Sequence, residues 1–85
     1  MRINFHKKFT KEFKKLPKRI QEKFYEKLEI FEINQFAHVL NNHAVHYPYE
    51  DSRSINISGD LRALYETDDK NFIFIRIGTH SELYK

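Results

Sequence analysis

The chain has 85 residues, 40% of them hydrophobic and none of them cysteine, which fits one domain over residues 1–85 and excludes disulfide and thiolate-metal sites. No apolar run approaches the roughly 20 residues of a membrane span and no signal peptide is recognisable, so we expect a soluble, cytoplasmic protein with no membrane association. The net charge of +3 is uneven, because residues 1–34 carry 10 − 5 = +5 and residues 35–85 carry 5 − 7 = −2. A basic half fits a polyanionic partner, although charge runs on helices are usually solvated faces.

The N-terminal half predicts one strand and two helices. Residues 2–6 alternate polar and apolar side chains, as a short strand does. From residue 9 onward the apolar residues recur every three or four positions, which is the spacing of an amphipathic helix. These positions are Phe9, Phe13, Leu16, Ile20, Phe24, Leu28 and Phe31. Because proline is tolerated in the first turn of a helix but not in its interior, Pro17 divides the stripe into helices over roughly 8–15 and 17–33.

The C-terminal half predicts three strands. Residues 35–51 have no regular period, and we expect a short helical turn followed by a loop. The pattern then changes to period two, and turn residues at 58–60 and 67–71 divide it into strands. The last strand, 72–77, is apolar on both faces apart from one arginine, as expected of a central strand.

The expected fold class is therefore α+β with the order β-α-α-β-β-β. The two N-terminal helices pack on one face of a small, twisted, largely antiparallel sheet. The other face of the sheet is expected to be open and available for function.

Three arginines fall on the three predicted C-terminal strands. Arg76 interrupts an apolar strand and is costly to bury unpaired, so it needs a carboxylate partner such as Asp60 or Glu66, or else solvent or a bound anion. If the strand register places Arg76, Arg62 and Arg53 on one surface, their guanidinium groups are suited to bind phosphate with two hydrogen bonds each.

Two residues near the C-terminus are candidates for chemistry. His80 follows the last strand in a Gly-Thr-His-Ser turn, where a loop presents functional groups on a rigid base. Imidazole titrates near neutral pH and can protonate a leaving 5′-oxygen, although a single loop histidine is more often an exposed bystander. Tyr84 either stacks on a nucleic-acid base or closes the core.

A metal site is not expected. His38, His43 and His46 lie close together in the sequence, but they lack the i, i+4 pair with an adjacent glutamate that makes a zinc motif specific. No Gly-rich phosphate loop is present either, so no cofactor is expected. Asp60 follows Ser58-Gly59, and this position in a turn is by itself a sufficient reason for an aspartate.

Taken together, three stretches of the chain resemble the RelE/ParE toxin superfamily. They are Asn42-His43, residues 53–65 and residues 76–84. The closing Gly-Thr-His-Ser-Glu-Leu-Tyr is most similar to the YafQ branch. The motifs cover residues 42–84, and the β-α-α-β-β-β order extends the resemblance over the whole chain. The resemblance implies a RelE-like fold and a toxin of a two-gene toxin–antitoxin module, which cuts messenger RNA in the ribosomal decoding site.

The resemblance also implies roles for individual residues. His80 matches the catalytic acid of the family, Tyr84 matches its base-contacting aromatic residue, and Arg76 matches the arginine that steadies the phosphate. Asp60 and His43 match an acidic residue and an upstream histidine implicated in proton transfer or orientation.

The chain departs from the YafQ pattern at two positions. Asn56 stands where that branch has another active-site histidine, and an amide cannot act as a base near neutral pH. The general base is therefore open between His46, Asp60 and His43. Arg62 stands where the branch has an aliphatic residue. Its guanidinium is expected to add a phosphate contact.

The expected function is that of a metal-independent endoribonuclease with messenger RNA, the ribosome and an antitoxin as partners. The basic helices are expected to contact ribosomal RNA. One alternative is a gyrase-poisoning toxin of the ParE type on the same fold, which has no chemical need for His43 or for the ending His80–Tyr84. The other is an RNA-binding module without catalysis.

Overall fold

In the computed structural model, which describes residues 1–85, two helices cover one face of a five-stranded sheet. The elements in chain order are β1 (Arg2–Phe5), α1 (Lys7–Lys14), α2 (Lys18–Ile33), a 3₁₀ turn (His38–Leu40), β2 (His43–Ala44), β3 (Arg53–Ser58), β4 (Leu61–Asp68), β5 (Asn71–Gly78) and α3 (His80–Leu83). The strand order is β1-β5-β4-β3-β2, with β1 and β5 parallel and the other neighbours antiparallel. The predicted α+β architecture is confirmed. None of the helices has the length and apolar content needed to cross a membrane.

Pro17 separates the two helices, as its chemistry predicts. It lies immediately before α2 with a φ of −56°, and α1 ends before it. The side chain of Gln21 bridges the join, since its Nε2 donates to the carbonyl oxygens of Phe13 and Leu16 at 3.1 Å each. These carbonyls lie at and just after the end of α1, where Phe13 also accepts from the Leu16 N–H. Gln21 therefore ties the start of α2 to the end of α1.

Aromatic rings fill the core between the helices and the sheet. Phe31 of α2 is fully buried, and its ring centroid lies 5.0 Å from that of Tyr65 and 5.5 Å from that of Phe74. Both contacts have the edge-to-face geometry that aromatic pairs favour. The buried hydroxyl of Tyr65 accepts from Asn42 Nδ2 at 2.7 Å and donates to Gln35 Oε1 at 3.4 Å. Its polar tip is thus satisfied inside an apolar core.

Two short elements appear that the sequence analysis does not predict. The strand β2 has only two residues, too few to show alternation. The helix α3 begins with a capping box, in which the Thr79 hydroxyl accepts from the Glu82 N–H and the Glu82 carboxylate accepts from the Thr79 N–H. The pattern Thr-x-x-Glu after a glycine is a recognisable helix start. The signal for α3 was therefore present in the sequence.

The sheet face opposite α1 and α2 is partly covered, contrary to the expectation of an open face. Leu64 alternates with core residues of β4 and so points to this face, yet it is fully buried. The Tyr49 hydroxyl donates to the Leu83 carbonyl of α3 at 2.9 Å and accepts from Arg76 of β5. Segment 45–52 and α3 therefore lie over this part of the sheet. The removal of Leu64 and Leu83 from water favours that arrangement.

We expect Phe31→Ala to lower the free energy of unfolding by about 3–5 kcal/mol, because it leaves a cavity in a close-packed core. Urea denaturation followed by circular dichroism measures the change. Ile33→Ala, on the same helix at a position 87% exposed, is the matched control and should stay within about 0.5 kcal/mol of the wild type. Equal losses for the two variants would contradict the assignment of Phe31 to the core.

Candidate active site

A β-bulge directs Arg76 away from the core. Phe74 pairs with Tyr65 on the helix-covered face, and a simple alternation would place Arg76 on that face as well. The register shifts between Leu64 and Tyr65, so that Ile75 is the extra residue and Arg76 pairs with Leu64. A bulge re-aims the side chains that follow it, and bulges are common next to active sites. Arg76 therefore lies on the face opposite the helices.

Arg62 lies on the same face as Arg76, and Arg53 does not. Arg62 pairs with Asn56 on one side and with Gly78 on the other, two residue pairs along from the pair that Arg76 forms with Leu64. Arg53 pairs with Tyr65 and so lies on the helix-covered side. The three arginines do not form one guanidinium surface.

The side chain of Arg53 is held by its own neighbours. Its Nε donates to Asn42 Oδ1 at 2.7 Å, and its guanidinium carbon lies 5.4 Å from the centroid of the Phe36 ring. The second distance is that of a cation–π contact. Arg53 thus fixes the segment before β2.

Asp60 connects Arg62 with the start of α3. Its Oδ1 lies 2.6 Å from Arg62 Nη2, and its Oδ2 accepts from the backbone N–H of His80 at 3.3 Å. Asp60 can reach both because it follows Gly59, which has a φ of +56° in the left-handed region that glycine adopts freely. The turn between β3 and β4 therefore brings together three of the predicted residues.

His80 and Tyr84 lie side by side on α3. Their ring centroids are 4.7 Å apart, and the His80 side chain is exposed. Tyr84 is half-buried and packs edge-on against Tyr49, with the ring centroids 5.5 Å apart. Tyr84 does not belong to the hydrophobic core. The predicted alternative in which its ring closes the core is therefore not observed.

The carboxylate partner of Arg76 is Glu12 of α1, and neither Asp60 nor Glu66 takes that place. Arg76 Nη2 donates to Glu12 Oε2 at 2.7 Å and Nε donates to the same oxygen at 2.9 Å. These hydrogen bonds hold the pKa of the Arg76 guanidinium above its ordinary value, although partial burial acts in the opposite direction. The two side chains retain only 14% and 25% exposure.

Glu12 also completes the edge of the sheet. The pairing of β1 with β5 ends at Phe5 and Phe74, so the next part of β5 has no strand beside it. Glu12 Oε1 accepts the backbone N–H of Ile77 at 3.1 Å in place of a strand carbonyl. A strand edge left unpaired and partly buried would be costly. Glu12 therefore has two structural partners on β5.

His43 is held in one tautomer. Its Nδ1 lies 2.8 Å from the carbonyl oxygen of Asn41. Because a carbonyl can only accept, Nδ1 carries the proton, and the neutral ring presents a free lone pair at Nε2. His43 pairs with Ser54 on β3, in the same row as Arg76 and three strand spacings away, or about 14 Å between backbones.

His46 and His38 have exposed side chains outside this arrangement. His46 lies in segment 45–52, where its carbonyl accepts from the Tyr49 N–H at 2.9 Å. His38 lies in the 3₁₀ turn. No group of three or more His, Cys, Asp or Glu side chains lies close enough to hold a metal ion.

Solved structures that are similar to this one include YafQ and YoeB-type toxins. The crystal structure of YafQ from E. coli strain BL21(DE3) aligns over 100% of both chains with a TM-score of 0.80 and 25% identity. YafQ in the E. coli DinJ–YafQ complex aligns over 100% of both chains with a TM-score of 0.79 and 26% identity. A YoeB/ParE toxin from Agrobacterium tumefaciens shares the fold, with a TM-score of 0.76 and 14% identity over 94% of this chain and 99% of its own.

The sequence agrees with the fold. The family model described as the bacterial toxin of type II toxin–antitoxin system, YafQ, matches residues 1–85. The chain belongs to the YafQ toxin family, which confirms the resemblance seen in its motifs. Among curated proteins, none matches this chain by sequence.

The helix that carries His80 should loosen in acid. Hydrogen bonds from the backbone and side chain of Thr79 hold the pKa of Glu82 below its usual range. A carboxyl with a lowered folded-state pKa contributes stability above its unfolded pKa, about 4.3 for glutamate, and loses it as the pH falls through the folded-state pKa. We expect the NMR shifts of the Leu83 and Tyr84 amides to move together with the Glu82 carboxyl. Glu82→Gln keeps an acceptor for the Thr79 N–H but has no group that titrates. If the amide shifts of Leu83 and Tyr84 change over the same pH range in this variant, the assignment of that change to Glu82 is contradicted.

Proposed function

We propose that this toxin is an endoribonuclease that cleaves messenger RNA on the ribosome with its own side chains as acid and base. The observation that supports this most directly is the position of His80. His80 is exposed and follows the strand that carries Arg76, and its backbone N–H donates to Asp60, the carboxylate that pairs with Arg62. A proton donor connected in this way to two arginines suits a reaction in which a phosphoryl group gains charge and an oxygen leaves.

The proposed reaction is an internal transesterification. The ribose 2′-oxygen bonds to the adjacent phosphorus while the bond from phosphorus to the 5′-oxygen breaks, leaving a 2′,3′-cyclic phosphate and a 5′-hydroxyl. His80 gives a proton to the departing 5′-oxygen, and a base takes the proton of the 2′-hydroxyl. Each proton transfer of this kind is typically worth about 10²–10⁴ in rate.

His43 is the best supported base among the three candidates. Its Nε2 is free to accept a proton, since the Asn41 carbonyl binds the other ring nitrogen. Both oxygens of Asp60 already accept hydrogen bonds, from Arg62 and from the His80 N–H. We therefore assign orientation of Arg62 and α3 to Asp60. His46 has no supporting contact that would orient its ring.

Arg76 and Arg62 are proposed to bind the phosphate. A guanidinium has five N–H groups, and Arg76 uses three of them on Glu12 and Tyr49. The remaining donors are fixed before substrate arrives, and a preorganised donor at a developing negative charge is worth about 3 kcal/mol. Arg53 is left out of this role because it lies on the other face of the sheet. Tyr84 is proposed to contact a base beside His80.

The basic α1 is proposed to contact ribosomal RNA. Five lysines lie on or next to this helix, and none of them belongs to the two ion pairs of the chain. They are Lys7, Lys8, Lys11, Lys14 and Lys15. Contacts of this kind with phosphates make binding weaker as salt increases.

A protein antitoxin is the proposed regulatory partner. This inference comes from the family, since the E. coli relative is solved as a DinJ–YafQ toxin–antitoxin complex. We place the protein in the same kind of two-gene toxin–antitoxin module.

We expect His80→Ala to lower messenger RNA cleavage by at least about 10²-fold, because the leaving oxygen loses its proton donor. Primer extension on messages from a translating extract maps new 5′ ends. His38→Ala, which removes an exposed imidazole outside the site, is the matched control and should cleave like the wild type. Circular dichroism establishes that both variants are folded.

Three outcomes would contradict the proposal. A folded His80→Ala variant that cleaves at the wild-type rate would show that His80 is not the general acid. Intact messages together with DNA damage would indicate a gyrase poison. RNA retention at low salt without cleavage, even on translating ribosomes, would indicate a binding module.

A further inference from the structure

A chain of polar contacts connects α1 with the end of α3. Glu12 binds the guanidinium of Arg76, and Arg76 Nη1 donates to the hydroxyl of Tyr49. That hydroxyl donates in turn to the carbonyl oxygen of Leu83 at 2.9 Å. In this series of hydrogen bonds, the hydroxyl of Tyr49 is therefore what connects Arg76 with α3.

The ring of Tyr49 contacts the same two elements. The guanidinium carbon of Arg76 lies 5.9 Å from the ring centroid of Tyr49, within cation–π range. Tyr49 also packs edge-on against Tyr84, whose ring lies beside that of His80. Tyr49 thus contacts the proposed phosphate-binding group directly and is connected to the proposed acid through Tyr84.

The helix α3 depends on outside contacts for its position. It has four residues, a single turn, and one turn of helix is not stable alone in water. Its last carbonyl groups have no partner within the helix. Tyr49 supplies a donor for the carbonyl of Leu83, and the burial of the Leu83 side chain adds an apolar anchor.

We propose that Tyr49 and Glu12 are positioning residues of the nuclease site. Glu12 fixes the guanidinium of Arg76, and Tyr49 joins that guanidinium to α3, which sets the distance between Arg76 and His80. The inference rests on the proposed function, since it names residues that serve the same site. A misplacement of about 1 Å in a reacting group can cost about 10²-fold in rate.

Neither positioning residue belongs to the motif that suggests the function. Glu12 is 64 residues from Arg76 and lies on the first helix. Tyr49 lies in segment 45–52, which has no regular secondary structure and is held over the sheet. The fold alone brings them to the site.

The decisive variant is Tyr49→Phe, which removes one hydroxyl and keeps the ring. On ribosomes programmed with a defined message, we expect the single-turnover rate constant to fall at least about tenfold. The ribosome concentration at half-saturation should stay unchanged, because no RNA contact is removed. Tyr47→Phe is the matched control, since that hydroxyl lies in the same segment on a side chain 79% exposed. It should leave both quantities as in the wild type.

Two further readouts separate positioning from general stability. Hydrogen exchange at the Leu83 and Tyr84 amides, which donate to the carbonyls of Thr79 and His80, should be faster in Tyr49→Phe while the amides of β4 are unchanged. The double variant Glu12→Gln, Tyr49→Phe should lose no more rate than the worse single variant, because both substitutions break the same series of contacts from Glu12 through Arg76 to α3.

The proposal is overturned if Tyr49→Phe cleaves at the wild-type rate, or if the two losses multiply. Failure of the proposed function has a different signature, in which the wild type itself leaves messages intact. In that case faster exchange in α3 still supports the link between Tyr49 and α3, and unchanged exchange overturns it.

Discussion

The ion pair between Glu12 and Arg76 is the contact on which the arrangement of the candidate site depends. A bulge at Ile75 turns Arg76 out of the core, and a partly buried guanidinium needs a carboxylate. Glu12 supplies it and also accepts the backbone N–H of Ile77, where β1 no longer covers the edge of β5. One carboxylate therefore neutralises the arginine of the candidate site and completes the sheet. Through it, the basic first helix is fixed relative to the strand that carries the site.

The site combines this rigid base with a short and weakly supported element. Arg76 and Arg62 extend from paired strands, whereas His80 begins a helix of one turn. Asp60 holds the start of that helix, and Tyr49 holds its end. In the proposed reaction the strands supply the charge that stabilises the phosphoryl group, and the helix supplies the proton. Segment 45–52, which covers part of this face, supplies the Tyr49 hydroxyl that holds the short helix.

The parts of this molecule that depend on local chemistry are predictable from its sequence. The helical period and Pro17 locate both long helices, and the turn residues locate the hairpins. The Gly-Thr-His-x-x-Leu-Tyr ending points to His80 and Tyr84. Strand register is what the pattern cannot supply: the bulge at Ile75 reverses the alternation after Phe74, so the face of Arg76 is not readable from residue spacing. Arg53 lies on the opposite face because it pairs with Tyr65, a register that residue spacing does not reveal. Glu12 could not be recognised as a partner because it is 64 residues from Arg76.

In the proposed mechanism the ribose 2′-hydroxyl is the nucleophile, and the protein's own imidazoles move the protons. The most direct measurement uses a message with a single 2′-deoxynucleotide immediately before the mapped cut, placed on ribosomes with the purified toxin. We predict that cleavage at that bond is abolished while the all-ribose message yields a 2′,3′-cyclic phosphate end. Cleavage of the deoxy-substituted bond at the normal rate would show that another nucleophile attacks the phosphorus, and would contradict the internal transesterification and the proposed role of His43.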